Sequence, residues 1–190
     1  MIEKIEKDIE AVKDIITSKE IYRFSFKLSE LPEHNDFSLD IVKHARFEEL
    51  FSVLNSKTTY CLYWFECADE KNAKTLIERL NNKRTDLIRE TRNVPPPNSN
   101  TDSNFIYVGV RQGGVRKKGS FSNISSRIVQ HLGYYKVGST GALHLFQWAN
   151  DFEMEITLNV MEIGTPREKE YLYIIEKFVA VALKPLCGKH

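Results

Sequence analysis

The sequence predicts an α+β fold in which a small central β-sheet is flanked by helices. Two hydrophobic patterns alternate along the 190 residues: short apolar runs of strand length, and longer segments whose apolar residues recur every three or four positions. The chain is 42% hydrophobic and 11% aromatic, which is enough to close a core at this length. We therefore expect a folded domain with an appendage, and not a disordered protein.

The first part of the chain, residues 1–58, is predicted to be a helix and strand extension. Apolar residues spaced by three and four predict an amphipathic helix over residues 2–16. Its apolar seam either packs on the rest of the chain or pairs with a second copy to form a homodimer, because spacing alone does not distinguish the two. Alternating apolar and polar residues then predict a strand over residues 21–31, ending near Pro32, and a second helical pattern covers residues 38–54.

A second region is predicted over residues 59–190, beginning with a buried strand. Residues 60–67, YCLYWFEC, have the length and aromatic composition of such a strand. A helical segment over residues 68–92 follows, because Asp69 can cap its start. Its apolar side consists of Leu76, Ile77, Leu80, Leu87 and Ile88. Residues 93–104 are rich in proline and asparagine, so they are predicted to be a loop or flexible linker.

The next two elements are a strand and a short capped helix. Residues 105–111, FIYVGVR, have the composition of a strand. Ser122 or Asn123 can cap a helix whose apolar residues then repeat every four positions, and Gly133 is placed to terminate it. Arg127 and His131 lie one turn apart on this helix, so they share a neighbouring face.

The last strand and helix bring a candidate metal ligand. Alternation over residues 154–163 predicts a strand with one apolar face. The start of the last helix is indicated by Thr165 as N-cap, Pro166 in the first turn and Glu168 in a capping box. Glu176 is bracketed by apolar residues within that helix, so we expect its carboxylate to be partly buried. Because burying a carboxylate alone is costly, it requires a metal, an arginine or a strong donor.

The middle of the chain is cationic although the formal net charge is only +1. Between Asn104 and Asn150 the sequence contains no Asp or Glu. It contains six basic residues there: Arg111, Arg116, Lys117, Lys118, Arg127 and Lys136. Such an asymmetry creates a local field that attracts a polyanion, so the first predicted partner is nucleic acid.

Other classes of protein are disfavoured by the composition. No apolar run approaches the ~20 residues of a membrane helix, and the N-terminus lacks the apolar core of a signal peptide, so a cytoplasmic location without membrane contact is expected. The three cysteines, Cys61, Cys67 and Cys187, are odd in number and lack CxxC spacing. They predict buried thiols and neither a disulfide framework nor a zinc site.

The order of these elements resembles the GIY-YIG endonuclease superfamily. In that family two tyrosine-bearing strands are followed by an arginine-bearing helix, another strand and a helix with a metal-binding glutamate. Five parts of residues 60–190 match this order: residues 61–63 (CLY), residues 107–109 (YVG), Arg127 with His131, Glu176, and residues 184–186 (KPL). Tyr63 and Tyr107 are 44 positions apart, so the helix over residues 68–92 is an insertion between strands that the family usually joins by a hairpin. Cys187 and Gly188 stand where the family usually has a terminal asparagine.

The resemblance implies metal-dependent hydrolysis of phosphodiester bonds, in DNA more than in RNA. Glu176 would hold a single Mg²⁺ or Mn²⁺, and Arg127 would fork onto the phosphate. Tyr63 is the favoured base for the attacking water and Tyr107 its hydrogen-bonded companion, while His131 assists the proton network or stabilises the phosphate. Arg111, Arg116, Lys117, Lys118 and Lys136 would contact the nucleic acid.

Each of these residues also has a purely structural interpretation. Tyr63 and Tyr107 could be core aromatics, Arg127 with His131 a solvated helix face, and Glu176 part of a structural ion pair. Residues 117–118 could be a solvated surface loop. Two other functions stay open: a nucleic-acid-binding module of the same fold without cleavage, suggested by the missing asparagine, and an interaction subunit that dimerises through the N-terminal seam.

Overall fold

The computed structural model describes residues 19–33, 40–90, 93–116, 121–135, 141–164 and 170–189. Over these residues the protein has an α+β fold, with a four-stranded antiparallel sheet and five α-helices. The helix predicted over residues 2–16, with its alternative of pairing to a second copy, lies outside the described residues, as do Thr165, Pro166 and Glu168. No helix within the described ranges has the length and apolar character needed to cross a membrane.

The sheet has the strand order β1-β4-β2-β3, and each neighbouring pair is antiparallel. The strands are β1 (Ile21–Lys27), β2 (Tyr60–Cys67), β3 (Phe105–Arg111) and β4 (Glu155–Gly164). β1 ends earlier than predicted because Leu28–Glu30 forms a 3-10 turn, in which the Leu28 N–H donates to the Met154 carbonyl at 2.9 Å. β1 thus pairs with β4 across the two predicted regions, whose boundary at residue 58 stays a prediction.

The helices are α1 (Glu48–Ser56), α2 (Glu70–Arg89), α3 (Asn123–Leu132), α4 (Phe146–Ala149) and α5 (Glu170–Leu183). The helix predicted over residues 38–54 is wrong between residues 40 and 47, because a 3-10 turn, Ile41–Lys43, precedes α1; residues 38 and 39 lie outside the described residues. Asp69 caps α2 as predicted, with its carboxylate accepting from the Asn72 N–H at 2.7 Å. Ile88 does not belong to the buried side of α2, since it is 54% exposed near the helix end.

Strands β2 and β3 are neighbours although α2 and a long loop separate them in sequence. Their register places Tyr63 opposite Gly109 and Phe65 opposite Tyr107. The loop between α2 and β3 is hydrogen-bonded to the C-terminal tail, and an isolated bridge joins Pro97 to Cys187. The insertion therefore folds beside the sheet and leaves the pairing of the two tyrosine strands intact.

Both faces of the sheet are covered, which corrects the prediction of one apolar face for β4. The larger core includes side chains of α1, α2 and α3 packed on one face. On the other face Met161 packs with Leu172 and Ile175 of α5, and Asn159 is also fully buried. Polar and apolar alternation cannot reveal this second covering, because it depends on a helix that comes later in the chain.

The three cysteines are buried free thiols, as predicted. Burial raises the pKa of each of Cys61, Cys67 and Cys187 to about 12. These thiols are therefore protonated and unreactive at neutral pH.

Candidate active site

The paired strands β2 and β3 bring the two tyrosines together on one face of the sheet. The ring centroids of Tyr63 and Tyr107 are 6.2 Å apart, and both side chains are buried, with exposed fractions of 1% and 8%. Between them lies Gly109, where an added Cβ would be 2.6 Å from Tyr63 Oη. The glycine of the YVG motif therefore lets the Tyr63 ring lie across β3.

Helix α3 presents Arg127 and His131 to this face of the sheet. Ser122 caps the helix as predicted, since its Oγ accepts from the Ser125 N–H at 3.1 Å, and Gly133 ends it with a positive φ of 102°. Arg127 is 9% exposed and His131 is fully buried. The interpretation of this pair as a solvated helix face is therefore wrong.

His131 has a defined tautomer because both ring nitrogens have protein partners. The Leu143 N–H donates to His131 Nδ1 at 3.2 Å, so in the neutral ring the proton is on Nε2. Nε2 lies 3.1 Å from Tyr63 Oη and donates to it. Burial, together with the charges of Arg127 and His144, lowers the pKa of His131 well below its ordinary value, so the ring is neutral at pH 7.

Arg127 links the two tyrosines. Its Nε donates to Tyr63 Oη at 3.1 Å, and its Nη2 donates to Tyr107 Oη at 3.4 Å and to the Gly141 carbonyl at 2.8 Å. Nη1 donates to Gln130 Oε1 at 3.0 Å. Burial opposes its charge, but the tyrosine oxygens outweigh this effect and raise the pKa of Arg127. The guanidinium group of Arg127, which was expected to bind a phosphate, thus donates to protein oxygens in this structure.

The two tyrosines differ in their surroundings. Tyr63 Oη accepts two N–H donors, from Arg127 and from His131. Burial raises the pKa of Tyr107 above its ordinary range, and the neighbouring Tyr63 acts in the same direction. The Tyr107 hydroxyl therefore keeps its proton at neutral pH.

Glu176 of α5 lies at a cavity of about 200 Å³ beside this cluster. Tyr107, Gly141, Lys189 and residues 93–96 also line the cavity. Burial raises the pKa of Glu176, although a backbone hydrogen bond from Val110 and the charge of Arg127 act against that shift. The partly buried carboxylate expected from the sequence is thus found at the cavity, and the Arg127 cluster lies behind Tyr107 and Gly141.

The residues that line the cavity fit an open, partly hydrated metal site better than a closed site made only of protein ligands. Among the described residues no group of three or more His, Cys, Asp or Glu is arranged to hold a metal. A closed site made only of protein ligands is therefore not found in this part of the chain. Mg²⁺ commonly keeps several waters and takes one or two carboxylates together with substrate phosphate, so the single carboxylate of Glu176 suits such an ion.

The predicted nucleic-acid contacts are only partly within the described structure. Arg111 lies on the same face of β3 as Tyr107, and burial together with the charge of Arg127 lowers its pKa. Its Nε is buried and has no hydrogen-bond partner among the described residues. Arg116 lies over the Tyr135 ring at 5.8 Å from the centroid. The remaining three, Lys117, Lys118 and Lys136, lie outside the described residues.

Several groups at the site were not predicted. Gln130, which holds Arg127 Nη1, is three positions further on α3, and this helical spacing is the one sequence feature that could have indicated it. Gly141 and Leu143 contribute a carbonyl and an N–H. Every residue type has a backbone carbonyl, and every type except proline has a backbone N–H, so no sequence pattern reveals these groups.

No family model matches this chain, and no curated protein or solved structure matches it either. Function is therefore inferred from the site itself. The site consists of the cluster of Tyr63, Tyr107, Arg127 and His131 and the adjoining cavity with Glu176.

Proposed function

We propose that the protein is a metal-dependent endonuclease similar to the GIY-YIG superfamily, which hydrolyses phosphodiester bonds with DNA favoured over RNA as the substrate. The observation that carries this proposal is that Arg127 joins the hydroxyls of Tyr63 and Tyr107 directly behind a cavity containing Glu176. These residues come from β2, β3, α3 and α5, which is the order of motifs in the resemblance. If Tyr63 and Tyr107 were only core aromatics, there would be no reason for an arginine and a carboxylate to lie beside them.

The pairing of β2 with β3 supports the proposal further. The resemblance requires the two tyrosine strands to be neighbours, and a 20-residue helix, α2, intervenes between them in sequence. The strands nevertheless pair with Tyr63 opposite Gly109. The inserted helix thus does not disturb the pairing of the two tyrosine strands, on which the proposed hydrolysis depends.

Phosphodiester hydrolysis requires charge balance at the phosphate and a base for the attacking water. Glu176 would hold Mg²⁺ or Mn²⁺ at the cavity, and the bound cation would supply positive charge to the phosphate. Arg127 adds a second positive charge behind Tyr107, and its Nη2 can exchange the Gly141 carbonyl for a phosphate oxygen. Arg111, on the same face of β3 as Tyr107, adds a third positive charge.

Tyr63 is the proposed base. Arg127 Nε and His131 Nε2 both donate to Tyr63 Oη and fix its position, and this oxygen would accept the proton of the attacking water. Tyr63 is 1% exposed, so the groups around it have to move before a substrate reaches it. Tyr107, which lines the cavity, would orient the substrate.

A plasmid assay tests this function. The wild type and a Glu176→Gln variant are incubated with supercoiled plasmid in Mg²⁺, with EDTA as a control. We expect nicked or linear product from the wild type alone, and none in EDTA. Glu155→Gln is a matched control, because it removes an exposed glutamate from the start of β4 and is expected to cut normally. A wild type that binds no divalent metal and cuts no DNA would refute the proposal.

A second candidate is a nucleic-acid-binding module that keeps the fold without cleavage. The observation that favours it is that all three guanidinium nitrogens of Arg127 already donate to protein oxygens. Residues Cys187 and Gly188, in place of an asparagine, point the same way. Salt-sensitive DNA binding by the wild type, with no metal-dependent cutting, would favour this candidate over the nuclease.

A further inference from the structure

The C-terminal tail is built into the wall of the cavity. After α5, residues 186–188 run between the edge of β3 and residues 96–98. Four backbone hydrogen bonds hold the tail from both sides: Leu186 N–H to Phe105 O at 2.9 Å, Cys187 N–H to Ile106 O at 3.0 Å, Asn98 N–H to Leu186 O at 2.9 Å and Gly188 N–H to Pro96 O at 2.9 Å. The path of the chain up to residue 188 is therefore determined by its two neighbours.

The turn that joins α5 to the tail is also held in place. The side-chain amides of Asn98 and Asn100 donate to the Pro185 carbonyl at 3.0 and 2.9 Å. Ser103 Oγ donates to the Leu183 carbonyl at 3.0 Å. The Leu183 carbonyl at the end of α5 and the Pro185 carbonyl after it are thus satisfied, so the loop over residues 93–104 holds the turn between α5 and the tail.

Lys189 follows the tail directly and lines the cavity together with Tyr107 and Glu176. Among the described residues that line this cavity, it is the one cation. Arg127 lies one layer deeper and holds the tyrosine hydroxyls. A lysine ammonium presents three donors and a compact positive charge, which suits a phosphate oxygen.

We infer that Lys189 binds a nonbridging phosphate oxygen of the nucleic-acid strand that occupies the cavity. This inference rests on the proposed function and adds a substrate-binding residue that the sequence pattern did not indicate. Lys189 and a cation held by Glu176 would both contact the strand within one cavity, which the two residues line together. The loop over residues 93–104, which follows the inserted helix, contributes to this binding site because its hydrogen bonds hold the tail in place.

The test compares three variants of the full chain: Lys189→Ala, Lys189→Arg and Lys177→Ala. Lys177 is the matched control, since it is an exposed lysine next to Glu176 on α5 and does not line the cavity. The probe is a labelled duplex oligonucleotide. KM and kcat for cutting are measured in Mg²⁺, and the dissociation constant is measured in EDTA at several salt concentrations.

For Lys189→Ala we expect kcat/KM to fall about 10-fold, mostly through KM, because one charge-assisted contact is lost. Its plot of log affinity against log salt should become shallower by about one unit. Lys189→Arg should recover most of the loss, and Lys177→Ala should stay within about twofold of the wild type. A structural role for Lys189 would not change the salt slope in this way.

The outcomes separate this inference from the proposed function. If the wild type cuts and Lys189→Ala matches Lys177→Ala in KM and in salt slope, the role of Lys189 is overturned and the nuclease stands. If the wild type binds without cutting, the nuclease fails, and the salt slope alone decides for or against Lys189. If the wild type neither binds nor cuts, both proposals are refuted. Thermal unfolding of each variant tests whether a loss of binding or cutting is caused by misfolding.

Discussion

Tyr63 lies directly opposite Gly109, and its side chain occupies the space that any larger residue at position 109 would need. A Cβ there would be 2.6 Å from Tyr63 Oη and 2.7 Å from Tyr63 Cζ. The hydroxyl that this space accommodates is the one that accepts from Arg127 and His131. The glycine is thus required by a neighbouring ring and not by its own backbone conformation.

The first prediction concerns this contact. Gly109→Ala should destabilise the fold by about 1–3 kcal/mol, because the buried Tyr63 ring has no room to move away. Denaturant unfolding measures the loss. A double-mutant cycle with Tyr63→Ala is the control, since the cost of alanine at position 109 should shrink once the ring is removed. An unchanged cost in that background would show that another neighbour is responsible.

The second prediction distinguishes the two tyrosines. Tyr63→Phe leaves Arg127 Nε and His131 Nε2 without their buried acceptor, so it should cost about 1–3 kcal/mol of stability. Tyr107→Phe should cost less, because Arg127 Nη2 keeps the Gly141 carbonyl at 2.8 Å. In the plasmid assay Tyr63→Phe should slow cutting by about 100-fold or more if Tyr63 is the base. Equal losses of stability in the two variants would contradict the assigned hydrogen bonds.

The local part of this fold was predictable from the sequence. Strands β2 and β3 and the caps at Asp69, Ser122 and Gly133 follow from patterns within a few residues. The end of β1 was predicted near Pro32 and lies at Lys27, and the burial of Asn159 was not predicted, because each depends on a distant segment. The Leu28 N–H donates to the carbonyl of Met154, which is far away in sequence. Helix α5 covers a face of β4 that the alternation alone indicates to be polar.

The same distinction applies to the candidate site. Side chains with characteristic chemistry could be named from their order in the chain, and the structure brings Tyr63, Tyr107, Arg127 and His131 into one cluster. The burial of Arg127 and His131 and the hydrogen bonds from the Arg127 guanidinium group to protein oxygens could not be anticipated. These follow from the Gly141 carbonyl and the Leu143 N–H, whose positions depend on the path of the backbone.

The third prediction concerns the cap of α3. Ser122 Oγ accepts from the Ser125 N–H and donates to the Leu54 carbonyl at 2.7 Å, so it both starts α3 and joins it to α1. Ser122→Ala should destabilise the protein by about 1–2 kcal/mol, measured by denaturant unfolding. The matched control is Ser52→Ala, an exposed serine within α1, where the change should be a few tenths of a kcal/mol. Similar effects at the two serines would rule out a special role for the cap.

The fourth prediction concerns the pH dependence of stability that the buried His131 produces. In the folded protein burial and the nearby Arg127 and His144 keep the pKa of His131 well below 6.5, so the ring stays neutral. In the unfolded chain the same ring has a pKa of about 6.5 and takes up a proton as the pH falls. The unfolded state thus binds more protons below pH 6.5, and the free energy of unfolding decreases as the solution is acidified.

For a single histidine that stays neutral in the folded state, this loss between pH 7.5 and 5.5 is about 1.4 kcal/mol. We expect the wild type to lose this amount beyond the loss of a His131→Gln variant, which cannot titrate at that position. Denaturant unfolding of both proteins at the two pH values measures the difference, and other titrating groups largely cancel in it. Equal pH dependence in the two proteins would mean that His131 takes up its proton in the folded state. The ring would then be an imidazolium, which cannot accept the Leu143 N–H at Nδ1, and the hydrogen bonds assigned around Tyr63 would have to be revised.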